Sequence, residues 1–327
     1  MKKSGFLKSA AMLWRPTTGN HGRIQTPPAW VLAAPFIIIL ALSGTSCKTP
    51  PVVSKADAEI ARNTSVARSA YAAGALPKAA QHYQKALERA RIIDSSVEII
   101  HNAYNLAACL AALHSYDAAK VYLDEARLEI ERTDRPYPEF HLLEAKIARA
   151  QGQFQEAEKL ARAALNDTPL NNALRVQWQL LLAELKCDQA QTAAAAGELG
   201  AITTKQLQDC VPEIKAAFAL TQARIEMLRR NPTAAAPQYD AAAALWQTAG
   251  RYGDMAAALE QAARAYEETG NSSAAAERYY RAARSLFESG QTGQARALAG
   301  RALNLATAAK HRSLQKQAER LQDVFKP

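Results

Sequence analysis

Apolar residues recur with helical spacing along almost the whole chain, from residue 56 to residue 326. Tyr104, Ala107, Ala108 and Ala111 are one example, since apolar side chains three and four residues apart share one face of an α-helix. The alternation of Val and Ile that is typical of β-strands does not appear. Glycine and proline recur between these segments, where helices are expected to end and begin. The pattern predicts an all-α protein.

Alanine recurs at a nearly fixed interval within this helical region. Six alanines are separated by 40, 38, 38, 40 and 40 residues, and each has a second alanine twelve residues before it. The first set is Ala79, Ala119, Ala157, Ala195, Ala235 and Ala275, and the second is Ala67, Ala107, Ala145, Ala183, Ala223 and Ala263. A fixed period predicts a helix–turn–helix unit that stacks on its neighbours, and small residues allow the two helices to cross closely. We therefore expect a helical solenoid whose function is binding.

The small and aromatic residues of four of the six units resemble those of the tetratricopeptide (TPR) family. In the third unit they are Ala145, Gly152, Phe154, Ala157, Ala161, Ala164 and Pro169, and the first, second and sixth units carry matching sets. The resemblance implies a TPR-like right-handed superhelical solenoid of antiparallel helix pairs with a C-terminal capping helix. We predict about six repeats of 38–40 residues over 56–310 and the capping helix over 311–327. These repeats are longer than the family's usual length of about 34 residues.

Two parts of the array are open to more than one interpretation. A register through Gly250, Tyr252, Leu259 and Ala262 would shift the repeat pattern by one helix, so the repeat boundaries after about residue 230 are not fixed. The stretch 197–211 has poor periodicity and predicts a hinge, a loop or an irregular helix.

Residues 1–46 have the composition of a secretory signal peptide. They contain five basic residues and no acidic residue, followed by an apolar run over 30–42 and small residues before Cys47. An apolar helix of about thirteen residues covers roughly 20 Å, less than the roughly 30 Å of a membrane interior. A signal peptide is therefore favoured over a transmembrane helix.

Cys47, directly after this segment, resembles the lipid-modified cysteine of bacterial lipoproteins. Residues 47–55 would then be the lipidated cysteine and a short tether, and Lys48 indicates the outer membrane. The expected localisation is a periplasm-facing lipoprotein of the outer membrane. Cleavage by an ordinary signal peptidase, which would release a soluble periplasmic protein, and an organelle transit peptide are the alternatives.

The charge of the chain gives no support for a nucleic-acid partner. The net charge is +9, but the leader holds five of the 40 basic residues. The remaining 35 basic and 31 acidic residues give the mature part a net charge of only +4. We expect the partners to be other envelope proteins or peptides, with the membrane contacted through a lipid anchor.

Candidate catalytic and metal-binding motifs are absent from the sequence. No two of the six histidines have the three- or four-residue spacing of a helical metal pair, and HExxH, CxxC and GxSxG are missing. We predict no enzymatic activity, no metal and no cofactor. An enzyme acting on envelope polymers, or a regulator of one, is the alternative function. A disulfide between Cys187 and Cys210 is left open.

The candidate binding site is the inner face of the solenoid. The TPR resemblance implies that it is lined by the first helix of each unit, through Arg68, Tyr71, His101, Tyr104, Asn105, Lys146, Arg149, Glu184, Arg224 and Arg264. Asn105 matches a family position that holds the backbone of a peptide ligand. Lys146 and Arg149 are expected to attract an acidic peptide or a C-terminal carboxylate. The predicted function is a non-enzymatic protein–protein interaction scaffold that serves assembly or secretion machinery.

Overall fold

The computed structural model describes residues 55–134, 137–167 and 170–325, which contain fifteen α-helices and no strand. The helices are α1 (Lys55–Ala72), α2 (Leu76–Ile92), α3 (Ser96–Ala112), α4 (Tyr116–Thr133), α5 (Pro138–Ala150), α6 (Phe154–Asp167), α7 (Asn172–Asp188), α8 (Thr192–Gly200), α9 (Thr204–Gln208), α10 (Pro212–Leu228), α11 (Pro232–Thr248), α12 (Tyr252–Glu268), α13 (Ser272–Glu288), α14 (Thr292–Ala308) and α15 (Arg312–Asp323). The leader and the tether lie outside the described residues, except for Lys55 at the start of α1. No helix among the described residues combines the length and the apolar character needed to cross a membrane.

Apart from the short α9, which packs on α7, successive helices pack against each other in chain order and form a solenoid of antiparallel pairs, which confirms the predicted fold class. The pairs are α1–α2, α3–α4, α5–α6, α7–α8, α10–α11 and α12–α13, followed by α14 and α15. All twelve alanines of the repeat are fully buried, one in each helix of the six pairs. Their small side chains therefore lie where two helices approach closely.

Ten of the described turns between helices share one backbone arrangement. After α1, Gly74 has a φ of +81°, the left-handed conformation that glycine adopts at low cost. The N–H of Ala75 donates to the carbonyl of Ala70 at 2.9 Å, which closes the end of the helix. Such three-residue turns send the next helix back along the previous one.

The stretch of poor periodicity is an interrupted helix. The second helix of the fourth pair, α8, has only nine residues, and the five-residue α9 follows after a break. Thr203 starts α9 with a capping box, because its hydroxyl accepts from the N–H of Gln206 and the Gln206 side chain accepts from the N–H of Thr203. These local bonds favour a new helix over the continuation of α8.

Cys109, Cys187 and Cys210 are free thiols and all are buried. Cys187 and Cys210 belong to the same apolar cluster, beside residues of α7, α8 and α10 such as Ile214. They act there as small apolar side chains.

The array also closes on itself between its first and sixth pairs. A methyl group on Gly253, in α12, would lie 2.8 Å from Cα of Gly74, so the two backbones are in direct contact. Gln291, just before α14, donates a hydrogen bond from Nε2 to the carbonyl of Ala73 at 3.0 Å. We call this contact, formed by residues 71–74, residues 251–254 and Gln291, the seam.

Candidate binding surface on the inner face

The ten residues predicted for the inner face all lie on the first helices of the six pairs. Arg68 and Tyr71 are on α1, His101, Tyr104 and Asn105 on α3, Lys146 and Arg149 on α5, Glu184 on α7, Arg224 on α10 and Arg264 on α12. Tyr71, Tyr104 and Arg149 are buried, whereas Arg68 and Arg264 are exposed. The other five are partly buried. The predicted surface thus contains both buried and exposed side chains.

The side chains of α3 form an aromatic group with Tyr137, the residue before α5. The ring centre of Tyr104 lies 5.6 Å from that of Tyr137 in an edge-on arrangement, and that of His101 lies 6.0 Å from it. Burial raises the pKa of Tyr104 well above its ordinary value. Asn105 donates from Nδ2 to the carbonyl of His101 at 2.8 Å, so this amide donor bonds to its own helix. Tyr137 was not identified from the sequence.

Arginines and carboxylates link the first helices of three successive pairs. Arg149 pairs with Glu184, and its Nε donates to Oδ2 of Asp188 at 2.5 Å. Arg224 donates from Nη2 to Oδ1 of the same Asp188 at 2.7 Å. We call Arg149, Glu184, Asp188 and Arg224 the inner ion-pair chain. It connects α5, α7 and α10. Three predicted site residues, Arg149, Glu184 and Arg224, are thus brought together, with Asp188 between the two arginines.

The carboxyl group of Asp188 shows the electrostatic effect of this chain. Burial alone would raise its pKa, but the charges and hydrogen bonds of Arg149 and Arg224 hold the pKa below the ordinary value. Asp188 was not among the residues predicted for the site. It follows Glu184 by one helical turn, so helical spacing contained the signal that would have identified it.

Lys146 differs from these arginines, although it lies on the same helix as Arg149. It is partly buried, and among the described residues its ammonium has no hydrogen bond or ion pair. Burial lowers the pKa of Lys146 to about 8; Glu184 opposes this shift, and the positive charges of Arg149 and Arg251 reinforce it. A negative group placed beside this ammonium would relieve that penalty.

Arg251 belongs to the site but was not predicted from the sequence. It lies in the turn before α12, and its Cζ is 4.7 Å from the ring centre of Tyr71, on α1. Its Nη2 pairs with Oδ2 of Asp254 at 2.5 Å. The sixth pair therefore covers Tyr71 from across the array. Arg264, farther along α12, pairs with Glu260 of its own helix.

Groups suited to metal chemistry do not converge in the described part of the chain. No set of three or more His, Cys, Asp and Glu side chains there is placed to hold a metal ion. The three thiols are buried, and burial raises the pKa of each, which disfavours the reactive thiolate.

No protein-family model matches this chain, and no curated protein matches it. Among solved structures, it is similar to a Signal Transduction ATPase with Numerous Domains (STAND) protein with a tetratricopeptide repeat sensor from Pyrococcus horikoshii. The match has 12% sequence identity and a TM-score of 0.46, and covers 74% of this chain and 42% of the other. A likeness of this degree transfers neither activity nor ligands.

Proposed function

We propose that this protein is a non-enzymatic scaffold that holds a polypeptide segment of a partner on its inner face. The observation that carries the proposal is the row of first helices, whose aromatic and charged side chains face one another across successive pairs. A stacked array offers one continuous surface built from many repeats, which suits an extended ligand better than a small molecule.

The partner segment that fits this face is acidic. The inner ion-pair chain uses its own carboxylates, whereas Lys146 has a positive charge that is partly removed from water and forms no ion pair within the described part of the chain. An Asp or Glu side chain, or a C-terminal carboxylate, would supply that charge. A contact in this partly dehydrated setting is worth more than the ~0–1 kcal/mol of an exposed ion pair.

The anchor is the second part of the proposal. Cys47 carries lipid and holds the solenoid on the periplasmic side of the outer membrane, where it serves assembly or secretion machinery. The support is the basic leader, the apolar run and the position of Cys47 in the sequence. Growth with a labelled palmitate analogue should mark the wild-type protein and leave Cys47→Ser unlabelled. A soluble, unlabelled wild-type protein would indicate the periplasmic adaptor instead.

The binding proposal is tested by reversing the charge of Lys146. Arg149 is unsuitable for this purpose, because its replacement would also break the buried inner ion-pair chain. Lys146→Glu should lose the partners that wild type recovers from detergent-solubilised membranes. Lys159→Glu, on the same pair but with a side chain 79% exposed, should keep them. Equal recovery by both variants would remove Lys146 from the binding site.

A further inference from the structure

The start of α12 lies against the first pair, beside Tyr71 of the predicted inner face. Arg251 is only 2% exposed, although it lies in a turn, because Tyr71 and Trp246 lie against its guanidinium at 4.7 and 5.4 Å. Its positive charge also acts on Tyr83 and Cys109, and on Lys146. Tyr71 is one of the residues proposed to hold a partner, so part of that surface is already contacted by the protein itself.

The seam is a close contact over a short length of chain. The crevice between its two sides has no space for a water molecule, and its walls are Tyr71, Gly74, Leu76, Arg251, Gly253 and Asp254. Most consecutive pairs, in contrast, pack over a longer part of their helices, as α2 does on α3 and α11 on α12. One turn and the beginning of one helix can therefore separate without loss of the packing within each pair.

Two glycines make this closure possible. A Cβ atom on Gly253 would lie 2.8 Å from Cα and 3.0 Å from N of Gly74, closer than real side chains approach a backbone. Glycine within a helix is less favourable than alanine by about 0.5–1 kcal/mol. The contact that Gly253 allows offsets this cost in the first turn of α12.

We propose that the seam is an autoinhibitory contact that keeps the solenoid closed over its inner face, and that a polypeptide partner binds by displacing the start of α12. This inference rests on the proposed function, since it concerns access to the same surface. A protein whose competent open form is a minor population binds with an affinity reduced by that fraction. Any change that opens the seam then strengthens binding without touching the partner.

Gly253→Ala is the variant that opens the seam. The added methyl group meets the backbone of Gly74, which forces the two sides apart. Gly293→Ala is the matched control, because Gly293 is also the second residue of its helix, α14, and a methyl group there meets no atom within 4 Å. Both changes raise helix propensity, so a difference between them reports the seam. Gln291→Ala removes one hydrogen bond of the seam without a clash and serves as a second, milder variant.

Opening is measured by the distance between spin labels on cysteines introduced at Lys78 and Gln294, two exposed positions on either side of the seam. We expect a longer and broader distance distribution in Gly253→Ala, a smaller change in Gln291→Ala, and no change in Gly293→Ala. An unchanged distribution in both seam variants would overturn the proposal.

Binding is measured with a fluorescein-labelled octapeptide of glutamate and alanine that has a free C-terminus. Gly253→Ala should bind it about tenfold more tightly than wild type or Gly293→Ala, as expected if an open form populated at about one in ten becomes dominant. A wider label distance with equal affinity in all three proteins would overturn autoinhibition and leave the acidic-peptide site in place.

The pH dependence of Lys146 acylation, followed by mass spectrometry, separates this proposal from the proposed function. Opening moves the charge of Arg251 away from Lys146 and makes Lys146 less buried. The pKa of Lys146 should therefore rise from about 8 toward its ordinary value in Gly253→Ala. If no protein binds the peptide but this rise occurs, the closure over the inner face stands and the acidic partner is wrong. An unchanged Lys146 in an opened variant would overturn the closure.

Discussion

Arg149 and Arg251 are both buried arginines on the inner side of the array, and each is paired with an acid, but they join different parts of the molecule. Arg149 reaches the next pair in the chain, where Glu184 and Asp188 of α7 accept its charge. Arg251 pairs with Asp254, three residues later in the first turn of α12. Its guanidinium lies over Tyr71 of the first pair.

The two regions differ in whether water can reach the remaining carboxylate when the arginine is removed. The carboxylates beside Arg149 lie between helices that stay packed as long as the solenoid exists. Asp254 lies at the seam, where separation of the first and sixth pairs admits water. If a buried carboxylate can reach water by a local opening, removal of its partner lowers the free energy of unfolding less than if it cannot.

The largest expected effect is that of Arg149→Met. Methionine keeps much of the apolar stem but removes the guanidinium that pairs with Glu184 and leaves Asp188 with Arg224 alone. Removal of one partner from a buried ion pair typically costs about 3–5 kcal/mol, and we expect a loss of this size in the free energy of unfolding measured by urea denaturation.

Arg162→Met is the control for this prediction. Arg162 also bridges neighbouring pairs, through Glu198 of α8, but its side chain is 47% exposed against 6% for Arg149. Exposed ion pairs contribute about 0–1 kcal/mol, so this variant should unfold nearly like wild type. Equal losses in the two variants would show that burial does not set the strength of these bridges.

A smaller loss is expected for Arg251→Met. The change removes the ion pair with Asp254 and the stacking over Tyr71, which predicts a cost of about 1–3 kcal/mol. It should be accompanied by a larger radius of gyration in small-angle X-ray scattering, because the seam opens and hydrates Asp254. A loss as large as that of Arg149→Met without expansion would mean that the seam is as rigid as the inner ion-pair chain.

The repeat itself could be predicted from the sequence because each pair contacts its chain neighbours through residues at a fixed spacing. The twelve alanines illustrate this, since their period alone indicated the burial that the structure has. Asp188 could also have been found, one turn after Glu184. Both depend only on helical geometry and on the repeat length.

The seam could not be predicted in this way. Contact between the first and sixth pairs depends on the small rotation from each pair to the next, and that rotation accumulates over the whole array. Gly74 and Gly253 appear in the sequence as ordinary turn and helix-start residues. For the same reason the sequence did not indicate that Arg251 covers Tyr71.

The smallest expected effect is a pH dependence at Asp188. Its pKa is lower in the folded protein than the value of about 3.9 in an unfolded chain, so its ionised form stabilises the fold. This stabilisation is complete above the unfolded pKa and is lost as pH falls through the folded pKa. Asp188→Asn should therefore unfold at a lower urea concentration than wild type at pH 7, and this difference should shrink below about pH 4. Asp124→Asn, at a side chain that is 61% exposed, should differ little from wild type throughout. A difference for Asp188→Asn that persists unchanged into acid would show that the amide disturbs packing, and that the shared carboxylate charge does not hold Arg149 and Arg224 together.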